Sequence, residues 1–86
     1  MNPPDDIREQ TRLVMENLQK CLYAGGATFP DVVQIDVFLT DMEDQDVIGE
    51  VMENYFKGDY PAGIMVEVKR LVDKRLKLEI STIAVT

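Results

Sequence analysis

Few residues in this chain are equipped for chemistry. Of its 86 residues none is His and one, Cys21, is Cys, which excludes a zinc site or a Cys-His nucleophile within one copy. Cys21 falls on the apolar stripe of a helical repeat and reads as a small buried hydrophobe in preference to a reactive thiol. Ser81 lies on the polar side of the last strand, where a hydroxyl binds a ligand or faces water. With no His to serve as base, it is not a conventional nucleophile. The acidic run DMEDQD, Asp41 to Asp46, lacks the central glycine and terminal Glu of a calcium loop, and its carboxylates suit a helix start. Lys69, Arg70, Lys74, Arg75 and Lys77 form the basic cluster; it reads as a solvated turn in preference to an anion site at a subunit boundary. The strand PAGIMVEV opens on Gly63, which brings only space and backbone.

The elements that must position these residues follow from periodicity. Ile7, Thr11, Val14, Leu18, Cys21, Leu22 and Gly25 recur at helical spacing, with Asp6 and Glu9 as a capping box and Gly25-Gly26 as the stop. Pro3 and Pro4 lie just before this helix. From Val33 the chain alternates: Val33, Ile35, Val37 and Leu39 on one face, Gln34, Asp36 and Phe38 on the other. Thr40 and Glu43 suggest a second capping box, opening a shorter helix that carries Val51 and Tyr55 and ends at Lys57-Gly58. Two further strands follow. Ile64, Val66 and Val68 oppose Met65, Glu67 and Lys69, and Leu76 to Ala84 alternates likewise. LVDKR between them predicts a hairpin, with Lys69 facing Glu79 as one register.

The order is therefore α-β-α-β-β, an α+β fold with both helices on one sheet face, in a single domain spanning residues 1–86. A chain of this size buries roughly 65% of its unfolded surface, enough for one small core. The other sheet face, expected to carry Gln34, Asp36, Phe38, Met65, Glu67, Glu79 and Ile83, has no cover within the chain, which predicts self-association. A net charge of −7 argues against nucleic acid and anionic membranes as partners, because neutralising phosphate needs a basic surface. No apolar run approaches the roughly 20 residues of a membrane span, and MNPPDD lacks the features of a signal peptide. The expectation is a cytoplasmic protein.

Five segments in this order and spacing, QTRLVMENLQKCLYAGGAT, DVVQIDVFLTDM, ENYFKGDYPAG, VEVKRL and KLEISTIAV, resemble the carboxy-terminal two thirds of the YjgF/RidA family, also called endoribonuclease L-PSP. The resemblance runs from Ile7 to Val85. It implies a chorismate-mutase-like α+β fold, a homotrimer with helices outside, and clefts between subunits that bind small carboxylate metabolites. The implied activity is hydrolysis of reactive enamine/imine intermediates to a 2-keto acid and ammonia, without a cofactor or metal. An arginine grips the carboxylate and a glutamate orients water.

At the family's site positions this chain departs from the pattern. The arginine that follows Pro-Ala is Gly63, the water-orienting glutamate is Ser81, a cysteine near the arginine is Met65, and an asparagine of the second helix is Gly49. Glu79 matches a more structural position. The family's amino-terminal hairpin, with a Ser-Gly pair and a ligand-contacting tyrosine, has no counterpart in these residues. Loss of a bidentate charged contact costs about 2 to 5 kcal/mol of binding, and loss of a general acid/base costs about 10² to 10⁴ in rate. The leading expectation is thus a RidA-like assembly whose cleft of Gly49, Gly63, Met65 and Ser81 lacks the deaminase groups. The alternative is a surviving deaminase using Ser81, backbone near Gly63 and a substitute arginine, Arg70 or Arg75. Ribonuclease activity ranks last.

Overall fold

The computed structural model describes residues 6–85, so the prolines before the first helix lie outside the described residues. Helix α1 runs Ile7–Ala24 and strand β1 Val32–Leu39, followed by helix α2 at Gln45–Phe56 and strands β2 at Ala62–Glu67 and β3 at Leu78–Ala84. Asp6 caps α1 by accepting from the Arg8 N–H at 3.0 Å. Glu9 pairs instead with Arg12 at 2.8 Å, so the expected reciprocal capping box is not formed. Gly25 ends α1, and Gly26 takes a φ of 80°, the left-handed turn that glycine adopts without steric cost. Before α2 the cap is Asp41, not Thr40: its carboxylate accepts from the Glu43 N–H at 3.0 Å and opens a short 3-10 turn at Met42–Asp44. The acidic run does lie at a helix start, as its charges favour.

Both helices cover one face of a three-stranded mixed sheet of order β2-β1-β3. Its core joins Met15 and Leu22 of α1, Ile48, Met52 and Phe56 of α2, and Ile35, Val37, Leu39 and Leu78 of the sheet, with Phe29 at the turn. Phe29 meets Phe56 edge-on at 5.2 Å between ring centroids, a favoured aromatic geometry. Gln10, which the apolar stripe does not include, is buried and ties α1 to the loop before β3: its amide donates to the Arg75 carbonyl at 3.0 Å and accepts from the Lys77 N–H at 2.8 Å. Among the described residues no helix is long and apolar enough to cross a membrane.

Four sequence expectations are corrected by this topology. The last two strands do not form a hairpin. β1 pairs with β2 in parallel and with β3 antiparallel, because α2 makes the crossover that a parallel pair requires, and the chain then passes the end of β1 to reach its other side. Glu79 consequently stands opposite Phe38, not Lys69. Second, the register aligns Gly63, Met65 and Glu67 with Ile35, Val37 and Leu39, so Met65 and Glu67 belong to the helix side, and Ile64 and Val66 take their place on the open face. Ile64, Met65 and Val66 are all apolar, so alternation alone could not set the phase. Third, a bulge between Val32 and Gln34 turns Val32 inward and leaves Val33 half exposed, since a bulge shifts the alternation by one residue. Fourth, Cys21 is exposed, lying on the flank of α1 while Met15 and Leu22 take the buried line.

Candidate functional site

Gly49, Gly63 and Met65 come together. All three line one groove of about 260 Å³ between α2 and the start of β2, completed by Ile35, Val37, Met52, Tyr60, Pro61 and Ile64. Met65 reaches the groove because the parallel register turns it toward α2, and it packs partly buried against the core. Gly49 faces the groove from α2, and a Cβ built on it meets nothing within 4 Å. Gly63 is the opposite case: a Cβ there would fall 1.6 Å from the Ile35 carbonyl oxygen and 2.7 Å from its carbon. Two backbones meet at this point, and only glycine allows the approach.

Ser81 does not join them within one chain. It pairs with Asp36 on the open face, across β1 from β2 and on the reverse side of the sheet from Gly63 and Met65. Its neighbours there are Asp36, Phe38, Glu79 and Ile83, and Asp36 accepts from the Gln34 amide at 3.1 Å. The carboxylate facing Ser81 is thus engaged by the Gln34 amide.

The two arginines considered as substitutes stand elsewhere. Val68 donates to the Leu39 carbonyl at 2.8 Å, so the segment carrying Arg70 leaves the sheet at the far end of β1. Leu39 is four residues from Ile35, beside Gly63, or about 13 Å along a strand. Arg75 is engaged by Asp73 at 2.8 Å, and that contact holds the Asp73 carboxyl down at about 2, chiefly through the side-chain hydrogen bond. The basic cluster therefore surrounds a crossover loop.

Tyr60, not among the site positions expected from sequence, also lines the groove. Its ring packs on Phe56 at 5.7 Å and its hydroxyl donates to the Gly49 carbonyl at 3.2 Å. Partial burial first, then the Glu53 carboxylate beside it, push the phenol up to about 12. Its position just before Pro61 and Gly63 was the available signal. Glu67, at the other end of β2, accepts from the Met42 N–H at 2.8 Å and steadies the turn into α2.

A mixed sheet of this order with two helices on one face, and a groove between the second helix and the parallel strand, defines an α+β chain whose fold alone names no activity. The chain belongs to the Endoribonuclease L-PSP family, whose sequence profile matches residues 1–86. It is 43% identical to a RutC family protein of Pyrococcus horikoshii over 92% of this chain and 62% of that one. It is 39% identical to TdcF of Escherichia coli, named as a candidate reactive intermediate deaminase, over 95% of this chain and 65% of the relative. The chain thus spans under two thirds of the length of these relatives. Among solved structures, E. coli TdcF with bound serine superposes with a TM-score of 0.89 at 38% identity, covering 96% of this chain and 67% of that one. The E. coli YjgF gene product gives 0.88 at 34% identity, covering 95% and 66%.

Proposed function

We propose that this chain is a self-associating member of its family, a homotrimer by resemblance, whose clefts between copies bind a small metabolite without hydrolysing imines. The observation that carries this reading is the separation of the site positions. Among the described residues no charged side chain lines the groove that Gly49, Gly63 and Met65 share, while Ser81 stands on the uncovered face. A second copy laid on that face is the way to bring Ser81 to such a groove, and exposed Ile64 and Ile83 favour such burial. Even then position 81 holds a hydroxyl where the resemblance implies the carboxylate base, and position 63 a glycine where it implies the arginine. Neither can orient water or grip an anion as the missing groups do. The deaminase-named relative keeps hydrolysis as the competing outcome, whereas ribonuclease chemistry finds little support in a chain of net charge −7 without His.

The test couples ammonia and 2-keto acid release from a 2-imino acid to light scattering on the same preparation. The expected result is an assembly of three chains with turnover at the level of buffer. Turnover well above buffer that falls in Ser81→Ala would establish the deaminase instead, and a monomer at all concentrations would remove the cleft.

A further inference from the structure

The groove of Gly49, Gly63 and Met65 lacks more than one arginine, and what it lacks bears on the ligand; this inference rests on the cleft proposed above. Among the described residues, its one polar side chain is Tyr60, whose hydroxyl proton is already given to the Gly49 carbonyl at 3.2 Å. A phenol so engaged offers a ligand only acceptor lone pairs. The charged group beside that hydroxyl is Glu53, an acid. A carboxylate entering this groove would lose hydration without gaining a cation, and burial of an unpaired charge is strongly disfavoured.

The deficit is also built into the backbone. A side chain at position 63 would begin 1.6 Å from the Ile35 carbonyl oxygen, so a cation cannot be placed there unless β2 moves away from β1. The open face does carry an arginine, Arg70, in a pocket with Phe38, Val68 and Glu79, but the charged groups nearest Ser81 are acids. Any copy presenting Ser81 presents Asp36 directly across from it and Glu79 two residues away, and Arg75 is held by Asp73. What the groove does provide is apolar surface beside β2, an edge strand with neutral N–H and C=O groups. Its volume of about 260 Å³ lies just under the roughly 300 to 1,000 Å³ of drug-sized sites, which suits a small ligand.

We infer that the cleft takes a small uncharged molecule with an apolar body and an amide- or carbonyl-type end, and discriminates against the carboxylate of a keto or imino acid. The ligand class is set by β2 lying against β1 at a glycine, which turns an anion-binding position into an apolar wall.

The experiment is an NMR titration of the intact chain with a matched pair of probes, 2-oxobutanamide and 2-oxobutanoate, and with butylammonium as the cationic probe. The amides of Gly49 and Gly63 and the methyls of Met52 and Met65 should shift saturably with 2-oxobutanamide, with the carboxylate weaker by about tenfold or more. Gly49→Arg, at a position where added atoms meet open space, should reverse that order by supplying a guanidinium. A carboxylate that binds the unmodified chain as well as the amide does, a preference for butylammonium, or silence of the groove signals with all three probes would overturn the inference. Light scattering on the same sample reports separately on assembly. A monomer would undo the cleft reading, whereas a trimer preferring the carboxylate would undo only the ligand class.

Discussion

The same three strands build two unlike surfaces. On the helix side Ile35, Val37, Leu39 and Leu78 are all under 6% exposed, and even the terminal Glu67 finds an N–H to accept from. On the other side Ile64 and Ile83 remain 56% and 53% exposed, interleaved with Asp36, Glu79 and Ser81. The first surface is finished by its own chain. The second is the kind of mixed apolar and polar patch that a partner finishes. The site positions divide along the same line, with Gly49, Gly63 and Met65 on the finished side and Ser81 on the other.

Truncation measures the contrast most strongly. Ile48→Ala, at a fully buried position, should cost about 2 to 5 kcal/mol in urea unfolding at any concentration. Ile83→Ala should change the unfolding free energy of dissociated chains by no more than about 0.5 kcal/mol, yet weaken association in sedimentation. Equal effects on both readouts would erase the distinction between the faces.

The two site glycines sharpen it next. Gly63→Ala must push β2 from the Ile35 carbonyl, and should lose about 1 to 3 kcal/mol, as overpacking does. Gly49→Ala adds a methyl to open space in a helix interior and should gain up to about 1 kcal/mol. Thermal or urea melts of the pair decide it. If both substitutions stabilise the chain, Gly63 is no contact point, and an arginine could stand there.

The smallest expected effect is a pH dependence at the groove. The Tyr60 phenol, ordinarily near 10, is raised to about 12 by burial and then by Glu53, so the native state holds this proton more tightly than the unfolded chain. Its stabilising contribution is full below pH 10 and declines as pH rises from there through 12. Tyr60→Phe should flatten that decline in denaturation midpoints taken across the window. An unchanged slope would place the raised phenol elsewhere, with Tyr55, also raised by burial and by Glu16, the next to substitute.

Much of this architecture could be read in advance. Both helices, their glycine stops and the inward line of β1 beyond its first residues follow from period and caps, because α1 and β1 each bury one clearly patterned side. β2 resisted, since Ile64, Met65 and Val66 carry no binary signal, and the phase comes from a crossover helix lying elsewhere in sequence. The supposed hairpin failed for a related reason: ten residues separate Glu67 from Leu78, enough to pass the end of β1 as well as to turn back. For the candidate site, resemblance picked out Gly49, Gly63 and Met65, which share one groove. It could not foresee that Gly63 is also a backbone contact, because that depends on the Ile35 carbonyl, nor that Ser81 faces away.

The claim on which this account turns is that the open face of one copy brings Ser81 to the groove of another. Paramagnetic broadening between copies tests it directly. A nitroxide is placed at Ser81→Cys in a Cys21→Ser background, needed because Cys21 is exposed, and unenriched labelled chains are mixed with isotope-enriched unlabelled ones. The account predicts that the Gly49 and Gly63 amides of the enriched chains broaden while those at the loop of Asp73 and Arg75 do not. Intact assemblies in which the two glycine signals stay sharp would contradict it.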